Sequence, residues 1–336
     1  MKIKNKDTND NVLIIAEIGN NHEGDFSLAK EMIYLAAESG VDAVKFQTFK
    51  TESFISTLDN KRFKQLKSFE LTYEQFNELS IIAKKQGLVF ISTPLDIDTA
   101  KFLPTIVDAI KISSGDNNFV QLLRTVSKLN KPLILSSGLM NLKQIIKSVN
   151  IIQNSSKKIK NKDELAILHC VTSYPVEPVD ANLRAIQTLS NTFDYTIGYS
   201  DHTIGINAAI SAVSLGARII EKHFTSDHNF SDFRDHQLSA DLDEMTNMVS
   251  IIREIEQMFG TGEKNLQKSE EDIIKAVRRS IVAKKDLLKG HIIGYNDLTY
   301  LRPGDGLEPA QEIQIIGKKL KHNVAMGTKI LLKSIE

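Results

Sequence analysis

The sequence predicts a (β/α)8 barrel followed by a small β-rich module, and two observations carry that prediction. Eight short apolar, β-branched-rich runs fall before residue 225, most of them preceded by a stretch with helical periodicity. From about Arg278 the pattern changes to short runs separated by turn residues. Eight strands alternating with helices over roughly 210 residues match a closed parallel barrel. A doubly wound sheet would show fewer strands and a glycine-rich first turn, and no GxGxxG occurs.

The runs are VLIIAEIG from Val12, DAVKFQTF from Asp42, LVFISTP from Leu88 and DAIKISSG from Asp108. PLILSSG from Pro132, LAILHCV from Leu165, YTIGYSD from Tyr195 and ARIIEKHF from Ala217 complete the set. Helical spacing marks residues 27–39, 73–86, 119–129, 142–153 and 208–215. A polar helix over 242–259 then leads into GTGEKNLQKSEED, whose glycines and charges have the character of a linker. The expected organisation is a catalytic barrel over 1–260, a linker over 261–277 and a terminal module over 278–336. About sixty residues cannot enclose a large pocket alone. The module is therefore expected to cover or complete a neighbour's site.

Lys+Arg and Asp+Glu balance at 42 each, so no global field selects nucleic acid or an acidic membrane surface. The single cysteine, Cys170, cannot form a disulfide within the chain, which fits a reducing compartment. MKIKNKDTNDN runs into the first strand without a long apolar segment, so neither a signal peptide nor a membrane span is expected. A soluble, cytoplasmic protein is the expectation.

In such barrels chemistry collects at the carboxyl ends of the strands. His202 in GYSDHTIG and His223 in IIEKHF end the seventh and eighth runs, 21 residues apart. A lone histidine there is ordinarily packed or hydrogen-bonded, but the repetition on successive strands, among Ser200, Asp201 and Glu221, suits a divalent-metal site. The earlier strands contribute Glu17, Asn20, Asn21, His22, Lys45, Gln47, Ser92, Thr93, Lys111, Ser113, Ser114 and Asp116. Ser136 and Ser137 end the fifth, with His169, Thr172, Ser173 and Tyr174 on the sixth.

Lys45, Lys111 and Glu221 lie inside apolar runs, where an uncompensated charge is expensive. They either pair in a barrel-lining layer or face an anion. Two lysines with several hydroxyls and the glycine-flanked amides of Ser114-Gly115 and Ser137-Gly138 suit a phosphate and a carboxylate. Strand lysines also admit a Schiff-base aldolase, which needs no metal. The histidine pair favours a metal-assisted reaction on a small anionic substrate.

The segments IAEIGNNHEGD, AVKFQTF, ISTP, KISSGD, LSSG, HCVTSYP, GYSDHT and IEKHF resemble the sialic acid synthase family, which makes N-acetylneuraminic, legionaminic and pseudaminic acids. The tail, RRSIVAKKDLLKG…LRPGDG…IGKKL, resembles the antifreeze-like (SAF) module of those enzymes. The resemblance implies condensation of phosphoenolpyruvate with the open-chain aldehyde of an N-acylated hexosamine, releasing phosphate by C–O cleavage. It implies Mn²⁺ or Mg²⁺ held by His202 and His223, and phosphoenolpyruvate held by Lys111, Ser114, Ser136 and Ser200. Glu17 and Glu221 match carboxylates near the reacting atoms, Lys45, Gln47 and Tyr174 match sugar-contacting positions, and Lys45 is also taken as catalytic. Arg302 matches an arginine that reaches into the partner subunit's barrel, which implies a domain-swapped homodimer.

Three departures fall where the sugar would lie. Asp116 stands where the family often has Glu, Thr172 where it often has Asn, and NFSDFRDHQLSAD replaces a Gly-Pro-Asp segment, with Asp235 matched to its aspartate. N-acetylmannosamine, a 2,4-diacetamido-trideoxyhexose and a different acylated sugar all remain open as substrates. The competing readings are a metal-dependent or Schiff-base aldolase using free pyruvate and an inactive barrel carrying an ice-binding or carbohydrate-binding tail. The charged KKDLLKG, LRPGDG and GKKLKH segments weigh against the latter.

Overall fold

The computed structural model describes residues 1–156, 159 and 163–336. The chain divides into two compact units, Met1–Gly260 and Thr261–Glu336.

In the first unit eight parallel strands close into a barrel. They are Leu13–Gly19, Ala43–Thr48, Val89–Pro94, Ala109–Ile112, Leu133–Ser136, Leu165–Cys170, Thr196–Asp201 and Ile219–His223. The eighth pairs with the first, His223 opposite Glu17, and Glu17 in turn stands opposite Lys45. Each strand coincides with a predicted run. Parallel strands covered on both faces read as near-continuous apolar sequence, which is why the runs were visible.

Alternate residues separate two cores. Ile14, Ala16, Val44, Phe46, Phe90, Ile110 and Ile220 point outward against the helices, including Met32, Ile33, Leu79, Leu122 and Met248. Leu13, Ile15, Ala43, Val89, Ile91, Ala109, Ile134, Ala166, Leu168 and Ile219 fill the barrel interior. Met1 and Ile3 join this inner core. They belong to a short hairpin pairing Lys2–Ile3 with Lys6–Asp7. The N-terminus therefore does not run straight into the first strand, as the sequence reading held. Two-residue strands lie below what a period-2 pattern can reveal.

The predicted helices appear as Phe26–Glu38, Tyr73–Lys85, Val120–Val126, Leu142–Ser155, Asn207–Ser214 and Leu242–Met258. Capping boxes at Thr72/Gln75, Asn141/Gln144 and Asp241/Glu244 fix three of their starts. Leu242–Met258 is amphipathic rather than merely polar, burying Met245, Met248, Val249 and Ile252. The connection after the second strand holds two further helices, Thr51–Phe54 and Asn60–Phe69.

The second unit pairs Ser280–Ala283 with Leu298–Leu301 in antiparallel register. Its own core gathers Ile281, Leu287, Ile293, Ile315, Leu320 and Ile330. No helix among the described residues is long and apolar enough to cross a membrane.

Candidate active site

A cavity of about 810 Å³ opens at the carboxyl edge of the barrel. Every predicted site residue except Arg302 lines it: Glu17, Lys45, Gln47, Lys111, Ser114, Asp116, Ser136, Tyr174, Ser200, His202, Glu221, His223 and Asp235. Arg302 is an exposed residue of the second unit.

The period of the strand sorts the longer list of strand-end residues. Cys170 faces the cavity, so its neighbour His169 faces outward, bonding the Ala181 carbonyl at 2.9 Å and stacking on Tyr199. Thr93 lines the cavity while Ser92 bonds Thr48 and the Phe46 carbonyl. Ser200 and Glu221 point in, and Asp201 and Lys222 point out.

The floor is an ion-pair layer that also faces the cavity, so both sequence alternatives hold together. Lys45 Nζ lies 2.7 Å from Glu17 and 3.7 Å from Glu221. Lys111 Nζ donates to Glu221 Oε1 at 3.0 Å, and Ser200 Oγ donates to the same oxygen at 2.9 Å. Two cations and two carboxylates balance. Their environments nevertheless push the carboxyls apart. Burial raises Glu17, and Glu221's like charge adds to it, against the opposing pull of Lys45. Burial also works to raise Glu221, but Lys111 and Lys45 outweigh it and hold that carboxyl down at about 2.

His202 and His223 stand with ring centroids 5.3 Å apart. His202 Nδ1 donates to the Val171 carbonyl at 2.9 Å, which leaves Nε2 as the ring atom that can meet a metal. Burial, reinforced by the nearby His202 and lysines, lowers His223 well below the usual imidazole range and keeps it neutral. His223 Nδ1 is buried without a hydrogen-bond partner, its nearest carboxylate being Asp235 Oδ2 at 4.0 Å. Asn20 Oδ1 and Thr172 Oγ1, also in the lining, are unpartnered too. Leaving such an atom unmet costs roughly 1–3 kcal/mol, so these atoms mark where a bound ligand supplies partners. Burial works to lower His202 as well, but its contacts with Cys170 and the Val171 carbonyl outweigh it and raise that ring, so only His223 is held neutral. Two imidazoles beside carboxylates fit a divalent cation, which would displace the proton from His202. A separate cluster, His228, Asp241 and Glu244, brings three potential ligands within 4.8 Å. Its members already pair with one another, at 3.4 and 3.3 Å.

Sequence reasoning missed the wall built by Phe54, Ile55, Arg62, Gln65 and Leu66. The available signal was length: an unassigned connection from residue 49 to 72 is too long for an idle loop. Glu70 fastens it, accepting from Thr51 N at 2.9 Å, Thr51 Oγ1 at 2.8 Å and Lys50 Nζ at 2.9 Å. Burial opposes these bonds, yet they hold Glu70 down at about 2. A depressed carboxyl stabilises above its unfolded pKa and loses that contribution as pH falls through the folded one. Glu70→Gln is thus expected to cost about 1–2 kcal/mol at pH 7, the linkage value reduced because water screens the half-exposed Lys50 and Lys67. The deficit should shrink between about pH 4.5 and 2, as denaturation against pH will show.

Two further details shape the mouth. Arg234 stacks over the Tyr174 ring at 4.5 Å, and buried His236 ties Thr225 at 2.7 Å to Glu23 at 3.2 Å, holding the segment that carries Asp235. Opposite, Gly138 leaves no room for a side chain, since a Cβ would meet Thr172 Oγ1 at 2.3 Å and Ser114 Oγ at 2.5 Å. Gly138→Ala should displace Ser114 and raise the KM of the anionic substrate roughly tenfold, with little change in Tm, because a misplaced site group is felt at sub-ångström scale.

A closed barrel with a charge-balanced lysine–glutamate floor beneath two converging imidazoles defines a barrel enzyme of small-molecule, metal-competent type. Comparison with known proteins makes this specific. Residues 32–264 match the NeuB family and residues 278–336 the SAF domain, and the chain belongs to the NeuB family. It is 41% identical to an N,N'-diacetyllegionaminic acid synthase of Campylobacter jejuni over 91% of this chain and 95% of that one. A pseudaminic acid synthase of the same organism is 33% identical, covering 97% of each chain. A crystal structure of N-acetylneuraminic acid synthetase from Leptospira borgpetersenii, in complex with citrate, superposes with a TM-score of 0.76. That likeness carries 35% identity and covers 82% of this chain and 94% of the other.

Proposed function

We propose that this chain is a nonulosonic acid synthase that condenses phosphoenolpyruvate with the open-chain form of an N-acylated hexosamine, giving a nine-carbon 2-keto acid and phosphate. The observation that carries the reading is the shared floor, in which Lys111 and Ser200 converge on Glu221 beneath the two imidazoles. Lys111, Ser114, Ser136 and Ser200 hold the phosphate and carboxylate of phosphoenolpyruvate. Gln47, Asp116, Tyr174 and Asp235 receive the sugar, with Lys45 between the two. C3 of phosphoenolpyruvate attacks the aldehyde carbon, water adds at C2, and the C–O bond to phosphate breaks. Glu17, the carboxyl pushed up, exchanges protons with the reacting atoms, and Glu221 stays ionised and fixes Lys111 and Lys45.

His202 and His223 would hold a divalent cation, which when bound supplies Lewis-acid polarisation and orients water. Two nitrogen donors favour Mn²⁺ over Mg²⁺, which prefers an all-oxygen shell. Identity of 41% to the legionaminic enzyme, against 31% to a human N-acetylneuraminate-9-phosphate synthase, favours a 2,4-diacetamido-2,4,6-trideoxyhexose over N-acetylmannosamine. The free, buried thiol of Cys170 suits a cytoplasmic enzyme.

We divide the chain functionally into a barrel over 1–260, a linker over 261–277 and a module over 278–336 that closes the partner's cavity in a homodimer. Arg302→Ala should then raise the sugar KM at least tenfold with little effect on that of phosphoenolpyruvate. Equal losses for both substrates contradict the swap. The sugar assignment is tested by measuring phosphate release with Mn²⁺ across N-acylated hexosamines. The diacetamido sugar should give the highest kcat/KM, and a preference for N-acetylmannosamine reverses the assignment.

A further inference from the structure

Asp201 and Lys222 sit behind the cavity wall, on the outward face of the seventh and eighth strands, directly opposite one another in register. Both are fully buried, and Lys222 Nζ meets Asp201 Oδ2 at 3.0 Å. Asp201 Oδ1 accepts from Tyr199 OH at 3.1 Å, from Thr203 N at 2.9 Å and from Thr203 Oγ1 at 2.9 Å. Lys222 Nζ also donates to the Thr203 carbonyl. One ammonium therefore grips the residues on both sides of His202, and it is itself the residue before His223. The His202 carbonyl is pinned as well, by Val176 N at 2.9 Å.

A buried ion pair is a poor source of stability. Apolar residues of similar volume are often neutral or stabilising in its place by about 1–4 kcal/mol. What such a pair can supply is register, and the register here is between the two strands that end in imidazoles.

We infer that Asp201 and Lys222 are positioning residues that set the spacing of His202 and His223 for a shared cation. The inference rests on the metal reading above and goes beyond it, because neither residue touches the cavity. Interactions behind first-sphere ligands are typically worth 10–100-fold in metal affinity.

The test is Mn²⁺ affinity, measured by loss of the free-ion EPR signal, for the wild type, the apolar replacement Asp201→Leu/Lys222→Met, and the near-isosteric Asp201→Asn. Tm and the metal-free affinity for phosphoenolpyruvate are measured in parallel. The expected result is a 10–100-fold weaker Mn²⁺ affinity in the double variant with phosphoenolpyruvate affinity retained, beside a modest fall in Tm from the Tyr199 and Thr203 groups left without Asp201 and Lys222. Should the double variant fail to fold, Asp201→Asn decides, with a several-fold loss expected. Unchanged Mn²⁺ affinity in a folded variant overturns the inference. So does a parallel fall in Tm, phosphoenolpyruvate affinity and Mn²⁺ affinity, which marks a purely structural pair. His202→Ala and His223→Ala separate the two levels. If neither weakens Mn²⁺ binding, the metal assignment fails and this inference falls with it.

Discussion

Glu17→Gln is expected to lower kcat by roughly 10²–10⁴ while leaving both KM values within a few-fold, the range for loss of a positioned acid–base group. The reason lies in how the floor divides its charges. Glu17 keeps one close cation, Lys45 at 2.7 Å, and burial raises its pKa. Glu221 lies within reach of Lys45 and Lys111 and accepts from Ser200, and its carboxyl is held down at about 2. Two carboxyls pushed apart in this way divide the labour between a proton carrier and a fixed charge. The sign of the pH effect follows. A base with a raised pKa is lost as pH falls through a value above the ordinary 4.5 of glutamate. The acid limb of kcat against pH should therefore lie above that value and vanish in Glu17→Gln.

The second large effect is expected at Lys111. Lys111→Met removes the ammonium 3.0 Å from Glu221 and the group proposed to hold phosphoenolpyruvate. Glu221 keeps Lys45 only at 3.7 Å, so a buried carboxylate is left poorly compensated. Breaking one partner of a buried pair typically costs about 3–5 kcal/mol. A lowered Tm should accompany a phosphoenolpyruvate KM raised on the order of 100-fold, the loss of a charge-assisted contact of about 3 kcal/mol. The paired substitution Lys111→Met/Glu221→Gln should recover much of the stability and none of the activity. Recovery of turnover would remove Lys111 from substrate binding.

The barrel was legible because each strand is sheathed on both faces and writes itself as an apolar run, and because charges inside such runs stand out. Lys45, Lys111, Glu221, His202 and His223 were all visible in that way, and the alternation of strand residues sends them to one cavity. What stayed hidden lacked a period. The Met1–Asp7 hairpin is too short to show one, although Met1 and Ile3 reach the inner core. Helix Asn60–Phe69 was unread because NKRFKQLKSF buries only Leu66 and Phe69. Tertiary pairing was equally unreadable. Lys222 looks like any strand lysine until Asp201 is found across from it, and His169 looks like a site residue until the parity of Cys170 turns it outward.

The most direct test uses phosphoenolpyruvate labelled with ¹⁸O in the bridging position, incubated with the Mn²⁺-loaded enzyme and the diacetamido-trideoxyhexose. The account predicts ¹⁸O in the released phosphate and an oxygen from solvent at C2 of a nine-carbon acid. Label retained in the organic product, or condensation that proceeds with free pyruvate and releases no phosphate, would contradict it.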